Sequence, residues 1–201
     1  LFEQFQNDPV ELRRNAAHHM SSWLRNFIHH VLVESEVRDA LLRLNPEIAA
    51  RPDYADQVIY RLRAILLSGN EGNLVSANEE FTAWLVGGRT MPFGQNGEHV
   101  TIKLIDFDTL SNNSFVATNQ YSYRTNVGVR FDLTLLVNGI PLVIGEAKTP
   151  VRPAISWVDG AIDIHDNYEI NAPQMFVPNV FSFATEGKEY RFGSIRMPLE
   201  N

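Results

Sequence analysis

Residues 130–148 read RFDLTLLVNGIPLVIGEAK, and their pattern predicts the central strands of the fold. Two apolar runs flank the Asn-Gly dipeptide at 138–139, the pair most typical of a tight β-hairpin turn. Both runs are apolar at successive positions, which predicts two central strands in a sheet covered on both faces. Asp132 opens the first run, and Glu146 and Lys148 close the second. A hairpin therefore brings these three ionisable groups together at the end remote from the turn.

The register of this hairpin decides whether the two carboxylates meet. A two-residue loop at 138–139 pairs Asp132 with Gly145, and this places Asp132 and Glu146 on opposite faces. A three-residue loop pairs Asp132 with Glu146 instead, and a β-bulge at Gly145 would make a similar correction. Carboxylates that act together must lie within about 5 Å of each other, the distance between cross-strand neighbours. We therefore expect one of these two devices.

Two adjacent carboxylates repel each other unless one is protonated or a cation lies between them. Oxygen ligands suit a hard cation such as Mg²⁺ or Mn²⁺, and the carbonyl of Ala147 is a candidate third ligand beside Asp132 and Glu146. Such a cation activates water and neutralises the charge of a phosphodiester. Lys148 would position that water or stabilise the developing negative charge. The set predicts phosphodiester hydrolysis; the alternative is an ion pair at a strand end, which contributes little.

The remaining sequence predicts an α/β fold. Residues 1–70 have helical periodicity, and further helices are expected over 76–86 and 159–168. Short runs rich in branched and aromatic residues predict strands at 101–106, 115–123, 130–137, 141–146, 180–184 and 189–192. We expect a mixed central sheet flanked by helices, with a helical N-terminal portion over 1–72 and a core over 73–201.

Composition excludes several classes of protein. The 201 residues include no cysteine, which excludes disulfides, cysteine-ligated zinc and cysteine nucleophiles. A formal charge of −7 is not that of a self-sufficient nucleic-acid binder, so neighbouring chains would have to supply a basic surface. No apolar run approaches the roughly 18 residues that a membrane span needs, so we expect a soluble protein without a membrane partner.

The pattern of Asp132 followed by Glu146-Ala-Lys148 resembles the PD-(D/E)xK nuclease motif. Further stretches, in order along most of the chain, resemble those of one group of nucleases. They include ALLRLNP at 40–46, NEEF at 78–81, LIDFD at 104–108 and EAKTP at 146–150. The series resembles the N-terminal nuclease region of the restriction (R) subunit of type I restriction-modification enzymes.

The resemblance implies a restriction-endonuclease-like fold and a DNA endonuclease with Asp132, Glu146 and Lys148 as its catalytic set. Subunits of this family also carry an ATP-driven DNA translocase. This sequence has no phosphate-binding loop of that kind, so we interpret it as a nuclease fragment, with ATP bound only by the missing motor domains. The implied partners are double-stranded DNA and the methyltransferase and specificity subunits. The implied location is the prokaryotic cytoplasm.

Several residues are candidate auxiliary groups: Gln120, Arg130, His165 and Tyr168. Many members of the family have a Gln four residues before a Tyr on the helix after the Glu-x-Lys strand. Tyr168 matches the Tyr, and Ile164 stands at the Gln position, with Asp163 or His165 as candidate substitutes. Related nucleases add a carboxylate from an early helix, for which the candidates are Glu3, Glu11, Glu79 and Glu80.

Two rival interpretations come from other classes. One is a non-catalytic domain that docks sister subunits and carries a degenerate nuclease motif. Its mark would be a site without metal in which Lys148 forms a salt bridge. The other is a DNA-repair or junction-resolving nuclease of the same fold. Such enzymes are usually free-standing and more basic, and the matches outside the hairpin argue against this alternative.

Overall fold

The computed structural model describes residues 31–69, 72–124, 128–151 and 154–198. Its α-helices are α1 Glu34–Leu44, α2 Pro46–Ala50, α3 Asp53–Ser68, α4 Leu74–Leu85, α5 Trp157–Ile162, α6 Glu169–Asn171 and α7 Pro173–Phe176. A π-helical segment, Asp163–Tyr168, runs directly from α5 into α6. None of the described helices is long and apolar enough to cross a membrane. The predicted helices before residue 31 lie outside the described residues.

The strands form two sheets. They are β1 Thr90–Met91, β2 Val100–Thr101, β3 Phe115–Tyr123, β4 Val129–Val137, β5 Ile140–Ala147, β6 Phe181–Thr185 and β7 Tyr190–Gly193. The first two pair with each other, and the other five form a sheet in the order β3-β4-β5-β6-β7. All neighbours in this sheet are antiparallel except β5 and β6. The predicted α/β fold with a mixed sheet is therefore confirmed, with the hairpin strand β5 at its centre.

The predicted strand over 101–106 is wrong beyond Thr101. Its apolar residues Ile102 and Leu104 are buried in an irregular segment rather than in a sheet. The side chain of Asn45, itself 2% exposed, accepts the N–H of Lys103 and donates to its carbonyl, at 2.8 and 2.9 Å. A side chain from α1's end thus replaces the strand neighbour that the backbone would otherwise need.

The helices and the sheet share one hydrophobic cluster. Its fully buried members include Leu41 of α1, Leu62 of α3, Phe81 of α4, Phe131 of β4 and Ile144 of β5. The described helices before residue 72 therefore pack directly against the sheet that carries the site. The division of the chain at residue 72 stays a prediction.

A β-bulge sets the register of the central hairpin. The turn has two residues, Asn138 and Gly139, both with positive φ, and it pairs Val137 with Ile140. The register then shifts by one, because Leu136 pairs with Pro141 but Leu135 pairs with Val143.

The residue skipped by this shift is Leu142. Leu133 consequently pairs with Gly145, which makes Asp132 level with Glu146. The expected device is confirmed as a bulge, but its predicted position at Gly145 is wrong. Gly145 is required for another reason, since a Cβ there would lie 2.2 Å from the Phe183 ring.

Candidate active site

Glu146 is the buried centre of the site. It lies at the end of β5, is 5% exposed, and fits below α5 where Gly160 leaves room for it. A Cβ at Gly160 would lie 3.4 Å from Glu146 Cγ and 3.2 Å from Ala184 Cβ, so a larger residue would require these neighbours to shift by a few tenths of an ångström. Sequence reasoning missed Gly160; a glycine inside a predicted helix was the available signal.

Both oxygens of the Glu146 carboxylate have partners. Tyr168 donates its hydroxyl to Oε2 at 3.0 Å, and Lys148 Nζ lies 2.8 Å from Oε1. Tyr168 is itself buried and packs edge-to-face on Phe131, with ring centroids 5.2 Å apart. This packing fixes the tyrosine, which in turn fixes the orientation of the carboxylate.

Asp132 lies one position beyond the last pair of the β4–β5 ladder. The final backbone pair is Leu133 with Gly145, and beyond it Asp132 Oδ2 accepts the N–H of Ala147 at 3.0 Å. The Asp132 carboxylate is thereby held where the strands part, close enough to Glu146 to repel it electrostatically. The hairpin thus brings Asp132, Glu146 and Lys148 together, as the sequence predicts.

Lys148 contacts a second carboxylate that the helix supplies. Its Nζ also contacts Asp163 Oδ2, so the ammonium is shared between β5 and the π-helical segment. Ile164, at the position where the resemblance implies Gln, is 6% exposed and packs in the core. Of the two candidate substitutes, Asp163 is the one that reaches the site.

The electrostatics of the site follow from burial. Burial raises the pKa of the Glu146 carboxyl above its usual range, and the nearby Asp132 adds to this effect, although the hydrogen bond from Lys148 opposes it. Burial alone would lower the pKa of Lys148, but its bonds to Asp163 and Glu146 raise it above the ordinary value. Burial and the adjacent Glu146 raise the pKa of Tyr168, so its hydroxyl stays a donor. Lys148 therefore remains cationic at neutral pH.

The donor set suits a hard divalent cation. Across the described ranges, no three acidic or histidine side chains surround one point at metal-ligand spacing. Two carboxylates, Asp132 and Glu146, nevertheless meet beside the exposed Ala147. Buried Glu146 has a raised pKa, so a second positive charge would favour its ionised form. Asp132, Glu146 and the Ala147 carbonyl are the oxygen donors that could hold such a cation, Mg²⁺ or Mn²⁺.

Other candidate residues lie away from this cluster. Gln120 and Arg130 are exposed, and neither contacts the site among the residues that the structure describes. His165 is near Asp166, with its Nδ1 2.6 Å from Oδ1, and it lies close enough to Glu169 to interact with it electrostatically.

The early-helix acids do not join the cluster either. Glu80 binds Arg89, with Oε1 2.9 Å from Nε, and Glu79 is exposed. Glu3 and Glu11 lie outside the described residues. No acid of α4 therefore adds a carboxylate to the cluster.

Comparison with known proteins assigns the family. The family described as "Type I restriction enzyme R protein N terminus" matches residues 11–201. The chain belongs to this family.

Among curated proteins, the chain is 29% identical over 181 residues to the type I restriction enzyme HindI endonuclease subunit of Haemophilus influenzae. That match covers 88% of this chain and 16% of the relative. It is 32% identical over 120 residues to the putative type I restriction enzyme MjaIXP endonuclease subunit of Methanocaldococcus jannaschii, covering 57% of this chain and 11% of the relative. The chain thus spans less than a fifth of each relative.

Proposed function

We propose that the chain is the metal-dependent DNA endonuclease module of a type I restriction enzyme R subunit. The observation that carries the proposal is buried Glu146, oriented by Tyr168 and Lys148 and level with Asp132. Membership of the R protein family and the names of the relatives, which are endonuclease subunits, support the same conclusion.

The residues have distinct roles in this proposal. Asp132, Glu146 and the carbonyl of Ala147 would hold Mg²⁺ or Mn²⁺, which supplies an activated water and neutralises phosphate charge. Tyr168 keeps one Glu146 oxygen in place through its hydrogen bond of 3.0 Å. The Lys148 ammonium, with one-fifth of its side chain exposed, stabilises the negative charge that develops on the phosphate.

The proposal extends to the assembly. The substrate is double-stranded DNA, and the methyltransferase and specificity subunits select where it is cut. ATP binding and translocation belong to other parts of a longer R subunit, in the prokaryotic cytoplasm. The charge of −7 on this module means that these parts supply most of the basic surface that holds DNA.

The test is DNA cleavage by the assembled restriction enzyme. We expect Asp132→Asn, Glu146→Gln or Lys148→Met in the R subunit to reduce cleavage at least about 100-fold, while ATP hydrolysis stays near wild type. Glu79→Gln and Lys103→Met are matched controls, because both residues are exposed and Lys103 adjoins Leu104 at the turn end of the hairpin, opposite the site. Full cleavage by any of the three site variants would contradict the assigned set.

A second candidate function is the non-catalytic docking domain. The salt bridges of Lys148 to Glu146 and Asp163 favour it, because an ammonium bound by two carboxylates also suits a purely structural site. The same variants separate the two functions. A docking domain would keep cleavage intact in Glu146→Gln and would instead lose assembly with the partner subunits when the fold is destabilised.

A further inference from the structure

The ammonium of Lys148 is shared between carboxylates from two different elements. Its Nζ lies 2.8 Å from Glu146 Oε1 of β5 and also contacts Asp163 Oδ2 of the π-helical segment. The exposed fractions of the side chains are 6% for Glu146, 20% for Lys148 and 40% for Asp163. The three charges therefore run from the interior to the surface, with Asp163 at the outer end.

The π-helical segment explains why Asp163 reaches the ammonium. Hydrogen bonds that span five residues align Asp163 with Tyr168, whose hydroxyl binds the other oxygen of Glu146. In a regular α-helix these two positions would lie about 140° apart around the axis. One turn of the helix thus contacts both members of the Glu146–Lys148 pair.

We propose that Asp163 is a positioning residue, which retains the Lys148 ammonium when Glu146 binds a divalent cation. The inference rests on the proposed function, in which Glu146 is a cation ligand. Without that cation, the ammonium supplies the positive charge beside Glu146, so the two cations compete for one carboxylate. Asp163 reduces the free-energy cost of separating the Lys148 ammonium from Glu146, because the ammonium keeps an anionic partner at the outer end of the site.

A direct role for Asp163 would have a different consequence. If Asp163 were itself a cation ligand, or only a nearby negative charge, its loss would weaken cation binding whether or not Lys148 is present. If it acts through the ammonium, its effect disappears once Lys148 is replaced. A double-mutant cycle between Asp163 and Lys148 separates these cases.

The experiment titrates the 201-residue chain with Mn²⁺ by calorimetry. We expect Asp163→Asn to weaken binding by roughly threefold to tenfold, within the range of coupling between contacting residues. Lys148→Met tightens binding, because the competing ammonium is gone. Adding Asp163→Asn to Lys148→Met then changes affinity less than about twofold. Equal weakening by Asp163→Asn in both backgrounds would overturn the proposal.

A control and a metal-free measurement complete the design. Asp166→Asn removes an exposed carboxylate from the same segment and should leave Mn²⁺ affinity unchanged.

The metal-free measurement is made in a chelator. The changes in unfolding midpoint caused by Asp163→Asn and by Lys148→Met should not add up to the change in the double variant, and additivity would also overturn the proposal. Mn²⁺ affinity that is insensitive to Glu146→Gln would contradict the proposed function, whereas the metal-free cycle still decides whether Asp163 holds Lys148.

Discussion

At the residue scale, the site keeps an ionisable carboxyl group in the interior, and this lowers the folding stability. Glu146 is buried beside a second carboxylate, Asp132. The lysine that forms an ion pair with Glu146 also forms one with Asp163. Such an arrangement favours ligand binding over folding, as is common where function needs an ionised group in the interior. The raised pKa of Glu146 reflects the free energy needed to ionise this carboxyl group in the folded protein.

Neutralising Glu146 should stabilise the metal-free chain at neutral pH. A raised pKa means that the folded state binds the proton more tightly than the unfolded state, so stability falls as pH rises through that pKa. In a chelator at pH 7.5, Glu146→Gln should gain about 1 kcal/mol, or roughly 2–4 °C in unfolding midpoint. The gain should vanish near pH 4, where the carboxyl is protonated. A midpoint below wild type at pH 7.5 would contradict this account, and exposed Glu79→Gln is the control.

At the element scale, two irregularities place the site. The bulge at Leu142 makes Asp132 level with Glu146, and the π-helical segment turns Asp163 toward Lys148. The bulge inserts one extra residue into the pairing of two strands, and the π-helical hydrogen bonds span five residues instead of the four of an α-helix. Each irregularity changes which side chain faces the site. The consequence for Ile164 can be tested directly.

Ile164→Gln should not create a functional glutamine. Position 164 faces the core, so a buried amide without a designed partner should cost about 3 kcal/mol, or roughly 6–12 °C in unfolding midpoint. It should also fail to restore Mn²⁺ affinity to Asp163→Asn. Ile164→Val, which keeps the apolar contact, should cost only about 1 kcal/mol. Recovery of affinity by the glutamine would show that the helix register assigned here is wrong.

At the scale of the whole molecule, the turn of the hairpin ties the sheet to the helices. Asn138 is 1% exposed; it donates to the Leu104 carbonyl at 2.8 Å, and its Oδ1 accepts the N–H of Ser114 and a bond from Arg43 of α1. Val33, just before α1, donates to the Gly139 carbonyl at 2.8 Å. The end of the hairpin opposite the site is therefore held by three separate segments.

Removing the Asn138 side chain should loosen this attachment. Asn138→Gly keeps the positive φ of 50° but leaves buried backbone groups without partners, which should cost about 2–3 kcal/mol. The unfolding midpoint should fall by roughly 4–12 °C. Asn96→Gly is a matched control, since Asn96 also has positive φ but is exposed. Equal effects of the two substitutions would contradict a role for the side chain of Asn138.

The pattern of residues alone was enough to predict the hairpin and the five strands of the main sheet, because these depend on turn chemistry and on local apolar patterns, and it placed Asp132, Glu146 and Lys148 at the same end of that hairpin. It also indicated the R protein family, which the comparison confirms. Only the folded structure shows that the bulge lies at Leu142, that residues 102–114 follow an irregular path, and that Asp163 rather than His165 reaches Lys148. These depend on packing between segments far apart in sequence, such as Gly145 against Phe183 and Asn45 against Lys103, and local patterns carry no record of those contacts.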